Sequence, residues 1–314
     1  MRLRPAYAAL ALYDPGRLPC DIDLSDNTSL FGPAPAARSA IADTADARIT
    51  RYPSVYADDL RRALAALHGV APENIATGCG SDDVIDSALR AFCEPGDVVA
   101  YPDPTFGMVP IFGRMNALRP TAVELGDDFA LDADALIQTR ARITYVCRPN
   151  NPTGTQFDRA ATGRVCRDAA GIVLIDEAYA DYADDHFAGS AVASDRVVVL
   201  RTLSKAYGLA GLRVGYAVGP ARLIAEIEKS RGPYKVSSVA ESAALAALRD
   251  RAWVQDRVRE VRANRARLLA ELGGRGIRAW DSAANFLLLS VPGRAAEWNS
   301  RLRGHGVAVR PFSA

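Results

Sequence analysis

Short apolar runs rich in β-branched residues recur along the chain and constrain its fold more than any other feature. Runs of this kind form strands that are buried on both faces of a sheet. Patterns with helical spacing lie between them, as in YADDLRRALAALHG (56–69) and SDDVIDSALRAFC (81–93). Alternating strands and helices predict an α/β fold with a mostly parallel central sheet between two helix layers. The predicted strands are DVVAYP (97–102), RITYVC (142–147), IVLID (172–176) and RVVVLRT (196–202).

The pattern changes near residue 220, which predicts a second unit. A long helical pattern runs over 237–272 without a strand inside it, and GGRG at 273–276 ends it. Short strands are then expected at 283–290 and 306–310, around a helix at 294–304. This composition predicts a smaller α+β domain after the larger one.

Charge, cysteine content and hydropathy exclude several classes. The 314 residues carry 38 Lys and Arg against 37 Asp and Glu, a net charge of +1 that gives no reason to expect nucleic acid or a membrane surface as partner. The five cysteines form no C-x-x-C pair, so a disulfide framework or a metal site is not expected and a reducing cytoplasm fits. No apolar stretch approaches the ~20 residues of a membrane span. The start of the chain, MRLRPAYAALALYDPG, is read as an arm or helix, with a signal peptide as the alternative.

Polar clusters follow several predicted strands, where an open α/β sheet binds its ligands. ATGCGSDD (76–83) leads into a helix with Ser81 as predicted N-cap, and the N–H groups of Gly80, Ser81 and Asp82 would suit an anion such as phosphate. An ordinary glycine turn before a capped helix is the alternative. CRPNNPTGT (147–155) is either a turn or a site that holds the Asn151 amide as a donor.

The cluster LIDEAYADY (174–182) places a carboxylate at a buried strand end. A buried charge needs a partner, so Asp176 pairs either with an arginine or with a protonated ligand nitrogen. Tyr179, three residues later, would place its hydroxyl in the same pocket.

The stretch TLSKAYGLAGLR (202–213) contains one of only three lysines, at 205, 229 and 235, against 35 arginines. Thr202 and Ser204 offer hydroxyl donors, and Arg213 offers a guanidinium suited to phosphate. A lysine amine forms an imine with a carbonyl, which arginine does not. Lys205 therefore indicates covalent chemistry, although one lysine of three can fall there by chance.

These groups together match one cofactor, pyridoxal 5′-phosphate (PLP). Its aldehyde suits Lys205, its pyridine nitrogen suits Asp176, and its ring oxygen suits Asn151 and Tyr179. Its phosphate suits the N–H and hydroxyl donors. No metal is needed.

Three motifs in the order PNNPTG, DEAY and SKAYGLAGLR give the chain a family resemblance. Asp176 follows Asn151 by 25 residues, and Lys205 follows Asp176 by 29. RYP (51–53), GSDD (80–83), PTFGM (104–108) and LSDNTSLFGP (24–33) add to the pattern. With them the chain resembles fold-type I PLP-dependent aminotransferases, most closely the histidinol-phosphate aminotransferase-like group.

The resemblance implies a role for each matching residue. Lys205 would form the Schiff base and shuttle the proton, with Asp176 on the pyridine nitrogen and Tyr179 and Asn151 on the ring oxygen. Tyr52 would reach the phosphate of a partner subunit, because the family builds its sites across a homodimer. The remaining implied residues are Phe106 on the ring face, Gly80, Ser81, Asp82, Thr202, Ser204 and Arg213 on the phosphate, and Asn27 and Arg310 on the substrate side.

The resemblance also implies an arrangement of domains. An N-terminal arm and the start of a small domain would cover 1–45. A large PLP-binding domain would cover 46–235, and a small C-terminal domain would cover 236–314.

Three departures from the family pattern affect the substrate side. Asn27 is followed by Thr-Ser-Leu instead of the usual E-N-P, and Lys235 stands where an asparagine is common. After VRPFSA the family continues with a strand, a helix and a second carboxylate-binding arginine, a role to which no residue here is assigned.

The expected function is amino transfer between an amino acid or amino phosphate (histidinol-phosphate-like or aromatic) and a 2-oxo acid, with 2-oxoglutarate as the expected acceptor. A PLP-dependent decarboxylase of a phosphorylated amino acid would share the cofactor motifs, so it stays an alternative. A catalytically silent PLP-binding protein is the second alternative.

Overall fold

A twisted β-sheet forms the centre of the computed structural model, which describes residues 4–8, 10–14, 16 and 19–312. Its strands are β2 (Ile75–Cys79), β3 (Val98–Asp103), β4 (Arg119–Glu124), β5 (Ile143–Cys147), β6 (Ile172–Asp176), β7 (Val197–Thr202) and β8 (Val214–Val218). A separate pair consists of β1 (Ile22–Asp23) and β9 (Val307–Ala308).

The order of strands across the central sheet is β2-β8-β7-β6-β5-β3-β4. The pairs from β7 through β4 are parallel, whereas β8 runs antiparallel to both β7 and β2. The prediction of a mostly parallel sheet is therefore confirmed. The predicted strands at 97–102, 142–147, 172–176 and 196–202 agree with the observed ones to within a residue.

Helices cover both faces of the sheet, which confirms the three-layer architecture. Successive residues of one strand enter different hydrophobic clusters: Val173 and Ile175 pack on one side, and Leu174 packs on the other. This alternation follows from the two-residue period of a strand. The helices are α1 (Pro5–Ala8), α2 (Pro35–Ala42), α3 (Asp46–Ile49), α4 (Asp58–His68), α5 (Gly80–Phe92), α6 (Met108–Met115), α7 (Ala133–Gln138), α8 (Arg159–Asp168), α9 (Ala221–Arg231), α10 (Ser238–Arg249), α11 (Arg251–Gly274) and α12 (Ala295–Gly304).

The C-terminal third differs from its prediction in three places, the third of which is the short strand near its end. The long helical pattern at 237–272 forms two helices, α10 and α11, because the backbone of Asp250 (φ −92°, ψ 49°) leaves the helical region between them. The strand predicted at 283–290 is wrong: within the described residues, this segment makes a single antiparallel bridge, from Leu289 to Ala279. The helix predicted at 294–304 is confirmed as α12.

Long-range contacts explain why 283–290 is not a strand. The backbone N–H of Ala283 donates to the carbonyl of Gly154, and the side chain of Asn285 donates to the carbonyl of Asn27. Polar groups of this segment thus form hydrogen bonds with the loop after β5 and with the N-terminal segment. The second predicted strand, 306–310, is present only as β9, which pairs in parallel with β1.

None of the described helices combines the length and the apolar character that crossing a lipid bilayer requires.

Candidate active site

The carboxyl ends of β5, β6 and β7 lie side by side and bring the predicted polar clusters together. Cys147 at the end of β5 is in register with Asp176 at the end of β6. Lys205 follows β7 by three residues, and the first turn of α5 lies beside β8. Parallel neighbours place their carboxyl ends at one edge of the sheet. This edge is therefore the candidate active site.

Asp176 is a buried carboxylate that two neutral donors hold. The Tyr145 hydroxyl donates to Oδ2 at 2.7 Å, and the Ala178 N–H donates to Oδ1 at 3.0 Å. Burial raises the pKa of this carboxyl to about 6, although both hydrogen bonds oppose the shift. Among the described residues, no lysine, arginine or histidine forms a salt bridge with Asp176. The ionised carboxylate therefore has room for a cationic ligand group.

The hydroxyl of Tyr179 is the point where two asparagines meet. Asn27 Nδ2 donates to it at 3.2 Å and Asn151 Nδ2 at 3.4 Å. The Phe286 ring packs edge-on against the Tyr179 ring, with 5.2 Å between centroids. Burial raises the pKa of Tyr179 above its ordinary value. Three segments far apart in the sequence thus converge on one phenol.

Lys205 is a partly buried amine that lies close to Tyr179. Its Nζ donates to the backbone carbonyl of Asp26 at 2.9 Å and lies 5.6 Å from the centroid of the Tyr179 ring. Burial lowers the pKa of Lys205 to about 8, and the negative charges of Asp26 and Asp82 oppose that shift. A lowered pKa gives a larger neutral fraction near physiological pH, which is the nucleophilic and basic form of the amine.

The N-cap of α5 lies two residues earlier than predicted. Gly80 is the first helical residue and Cys79 is the N-cap, so Ser81 lies inside the helix; its prediction as N-cap is wrong. The physical reason is that the Asp83 side chain accepts from the Cys79 N–H at 3.0 Å and closes the turn from within. Gly80 has φ +83°, a left-handed conformation that favours glycine.

Strand β8 links this turn to the end of β7, because Gly215 is the register partner of Thr202. A side chain at Gly215 would overlap the backbone of Gly80 and Ser81, so β8 approaches the turn closely. The Thr202 hydroxyl lies 2.9 Å from that of Ser204 and accepts from the Ser204 N–H at 3.1 Å. These groups make an arrangement that suits an anion.

Arg213 and Asp82 meet at the same turn. Arg213 Nη2 lies 3.1 Å from Asp82 Oδ2. Burial raises the pKa of Asp82, and the charge of Arg213 opposes that shift.

Three other predicted residues make contacts of their own. Phe106 is half-buried between β3 and α6. Tyr52 is 84% exposed and stacks on Tyr234, with ring centroids 4.8 Å apart. Arg310 Nε donates to the Ser25 carbonyl at 3.2 Å.

Several residues of the site carry no signal in the sequence pattern, and Tyr145 is the clearest case. Its hydroxyl is buried within a β-branched strand, so the sequence indicates that it needs a hydrogen-bond partner. The sequence does not indicate which residue that partner is. Asp26 acts through its backbone carbonyl, which no side chain reveals. Asn285 and Phe286 lie in the segment that was predicted as a strand.

Residues 20–314 match the family model described as aminotransferase class I and II. The chain belongs to this family. An aromatic amino acid aminotransferase from Nocardia farcinica (strain IFM 10152) is 39% identical over 324 residues, which cover 99% of this chain and 90% of the relative. A histidinol-phosphate aminotransferase from Jannaschia sp. (strain CCS1) is 37% identical over 326 residues, covering 99% and 89%.

The fold agrees with that of solved members of the family. The crystal structure of histidinol-phosphate aminotransferase from Sinorhizobium meliloti in complex with pyridoxal-5′-phosphate has a TM-score of 0.91 and 27% identity to this aminotransferase. The match covers 100% of this chain and 90% of that one. The resemblance to fold-type I PLP-dependent aminotransferases is confirmed, and so are the cofactor and the class of reaction.

The residues of this edge fit PLP. Asp176 is a buried carboxylate without a salt bridge in the described part of the chain, so a protonated pyridine nitrogen would supply the missing charge. Lys205 is an amine whose pKa burial lowers to about 8, which suits bonding to an aldehyde. The helix start at Gly80, with the hydroxyls of Thr202 and Ser204, would hold the phosphate.

Proposed function

We propose that this aminotransferase moves the amino group of an aromatic amino acid or a histidinol-phosphate-like amine to 2-oxoglutarate, in the cytoplasm. The observation that carries the proposal is the Lys205 amine, which lies beside the phenol of Tyr179. The relatives named for aromatic amino acids and for histidinol phosphate, at 39% and 37% identity, support these two donor classes.

Lys205 is the proposed catalytic base. PLP supplies an aldehyde for the amine and a ring that draws electrons from the substrate Cα. Lys205 would accept the proton from the substrate Cα and would donate it again later in the amino transfer. The amine must therefore be neutral when it accepts the proton. Its partial burial favours the neutral form, and the Asp26 carbonyl orients the amine.

Asp176 and Tyr179 are the proposed electronic partners of the cofactor ring. The carboxylate of Asp176 would keep the pyridine nitrogen protonated. The Tyr179 hydroxyl and the Asn151 amide would hydrogen-bond to the ring oxygen, and their 3.4 Å separation supports a shared target. Phe106 is the proposed residue on the ring face.

The proposed phosphate site is the turn at the start of α5. Backbone N–H groups of Gly80, Ser81 and Asp82 lie at a helix N-terminus, where the helix dipole favours negative charge. The remaining proposed ligands are Thr202, Ser204 and Arg213.

We propose a homodimer in which Tyr52 reaches the phosphate of the partner subunit. Tyr52 is exposed on this chain, and its ring is held in place by Tyr234. Ile49 and Val55 are also exposed near it in the sequence, which gives this segment an apolar surface to cover.

The proposed domain boundaries follow the same scheme, with 1–45 as the arm and start of the small domain. The large cofactor-binding domain takes 46–235 and the small domain takes 236–314.

Asn27 and Arg310 form the proposed substrate side. Ser25, Asp26 and Asn27 are consecutive, and they contact Arg310, Lys205 and Tyr179 in turn. The N-terminal segment thus links the candidate base to the candidate substrate arginine. A guanidinium at 310 suits either a carboxylate or a phosphate.

A screen of amino donors tests the proposal. Each donor is mixed with the PLP-loaded protein, first without and then with 2-oxoglutarate. Change in the visible absorbance of bound cofactor and formation of the oxo product are followed. Aromatic amino acids or histidinol phosphate are expected to react and to need the acceptor for repeated turnover. Release of CO₂ without any need for an acceptor would overturn the proposal.

Lys205→Ala provides the test of the base. We expect kcat to fall by about 10³-fold, within the range for loss of a general acid–base group. Lys229→Ala is the matched control, because Lys229 lies on the exposed face of α9, where it pairs with Glu226. Undiminished turnover by Lys205→Ala would refute the assignment.

A further inference from the structure

The first turn of α5 carries two consecutive carboxylates, Asp82 and Asp83, where the phosphate is proposed to bind. Two negative charges beside a phosphate oppose its binding, because like charges at a few ångströms repel even near a protein surface. A phosphate site at this turn therefore requires that the carboxylates be neutralised.

A cation from a different part of the chain meets each carboxylate. Arg213 Nη2 lies 3.1 Å from Asp82 Oδ2, and Lys235 Nζ lies 2.8 Å from Asp83 Oδ1. The second pair is the better shielded of the two, since the side chains of Lys235 and Asp83 are 33% and 13% exposed.

Asp83 cannot turn away from the site without breaking the helix start. Its second oxygen, Oδ2, accepts from the Cys79 N–H at 3.0 Å, the hydrogen bond that closes the first turn. The carboxylate therefore stays where it is, and its charge has to be compensated in place. Lys235 is the residue that does so.

Lys235 reaches α5 from the linker between α9 and α10, 152 residues away in the sequence. The preceding residue, Tyr234, has φ +59° and stacks on Tyr52. The linker is thus held by the Tyr52 ring at the residue before Lys235, and Lys235 extends from it to α5.

We propose that Lys235 is a positioning residue for the cofactor phosphate, which acts by neutralising Asp83 so that the N-terminus of α5 remains favourable to an anion. The inference rests on the proposed phosphate site at this turn. It assigns a role to one of the three lysines in a chain that has 35 arginines.

The test compares PLP with pyridoxal, which lacks the phosphate, by equilibrium dialysis against the full chain. Lys235→Met is expected to weaken PLP binding about 5-fold, which is the size of effect expected for one partly buried ion pair. Pyridoxal binding is expected to stay unchanged. Lys235→Arg keeps the charge and is expected to stay within about 2-fold of the original chain.

A second substitution in the same protein separates charge from shape. Asp83→Asn keeps an oxygen for the Cys79 N–H but removes the negative charge. In the Lys235→Met background it is expected to restore PLP affinity to within about 2-fold of the original chain. Failure of this rescue would overturn the proposal.

Arg213→Met is measured beside Lys235→Met, and the two variants together separate the remaining outcomes. If Lys235→Met weakens PLP and pyridoxal equally, Lys235 is only a structural brace and the inference is wrong. If Arg213→Met weakens PLP selectively and Lys235→Met does not, the inference alone fails and the phosphate site stands. If neither variant changes the ratio of the two affinities, the proposed phosphate site is itself wrong.

Discussion

The Tyr145 hydroxyl donates a hydrogen bond of 2.7 Å to Oδ2 of Asp176, across the neighbouring strands β5 and β6. The donor is neutral, so it stabilises the ionised carboxylate without cancelling the negative charge that attracts a cation. Burial works in the opposite direction and raises the pKa of Asp176 to about 6. The balance leaves the carboxylate ionised at neutral pH, so it can pair with a cationic ligand group.

Removal of this hydroxyl is predicted to shift the pH dependence of PLP binding. Affinity is expected to fall as the pH drops through about 6, because protonated Asp176 no longer attracts a cationic nitrogen. In Tyr145→Phe the pKa of Asp176 rises further, so the fall begins about 1 pH unit higher. Dissociation constants for PLP measured between pH 5 and 8 provide the check.

The phosphate of PLP titrates in the same pH range, at about 6, but it does so equally in both proteins. The difference between the two pH profiles therefore reports Asp176. Tyr216→Phe is the matched control, since this buried tyrosine bonds to His68 instead. Coincident profiles for Tyr145→Phe and the original chain would contradict the prediction.

The lowered pKa of Lys205 predicts how fast the cofactor-free chain takes up PLP. With a pKa of about 8, the neutral amine makes up about a tenth of the molecules at pH 7 and about half at pH 8. The uptake rate is expected to rise about 5-fold between these pH values and to level off by pH 9. Stopped-flow absorbance measures it, with Lys205→Ala as the baseline. A rate that keeps rising tenfold per unit to pH 10 would indicate an ordinary lysine.

Arg201 lies in strand β7 and is predicted to contribute strongly to stability. Its guanidinium pairs with Glu177 at 3.1 Å and with Asp181 at 2.9 Å, and its side chain is only 7% exposed. Arg201→Met leaves the carboxylate of Glu177 buried and unpaired, which costs about 3–5 kcal/mol of the free energy of unfolding.

An exposed ion pair gives the comparison for Arg201. Arg222 and Asp195 are 61% and 93% exposed, so Arg222→Met is expected to change stability by less than about 0.5 kcal/mol. Urea unfolding of both variants measures the difference. Equal losses of stability in the two variants would mean that the buried ion pairs of Arg201 stabilise the fold no more than an exposed pair does.

Tyr179→Phe tests whether the shared phenol serves catalysis. The substitution removes the acceptor for the amides of Asn27 and Asn151 while keeping the ring against Phe286. We expect kcat/KM to fall about tenfold, the effect of losing one hydrogen bond to a developing charge. Tyr182→Phe, at another buried tyrosine three residues on, should leave kcat/KM nearly unchanged.

The strands were predictable because their signal is local. A β-branched run such as RVVVLRT selects a strand by its own composition, and its burial on both faces follows from the run being apolar throughout. The observed strands β2, β4 and β8 were not predicted. β2 and β8 each contain a glycine and β4 contains a proline, residues that weaken the strand signal in a sequence.

The sequence by itself determined the α/β class and the chemistry of the side chains, since Lys205, Asp176, Asn151 and Tyr179 carry their functional groups wherever they lie. Tertiary structure alone decided the partners. The Asp26 carbonyl reaches Lys205 across 179 residues of sequence, and Lys235 reaches Asp83 across 152. Such pairs depend on how distant elements pack, and no local propensity encodes them.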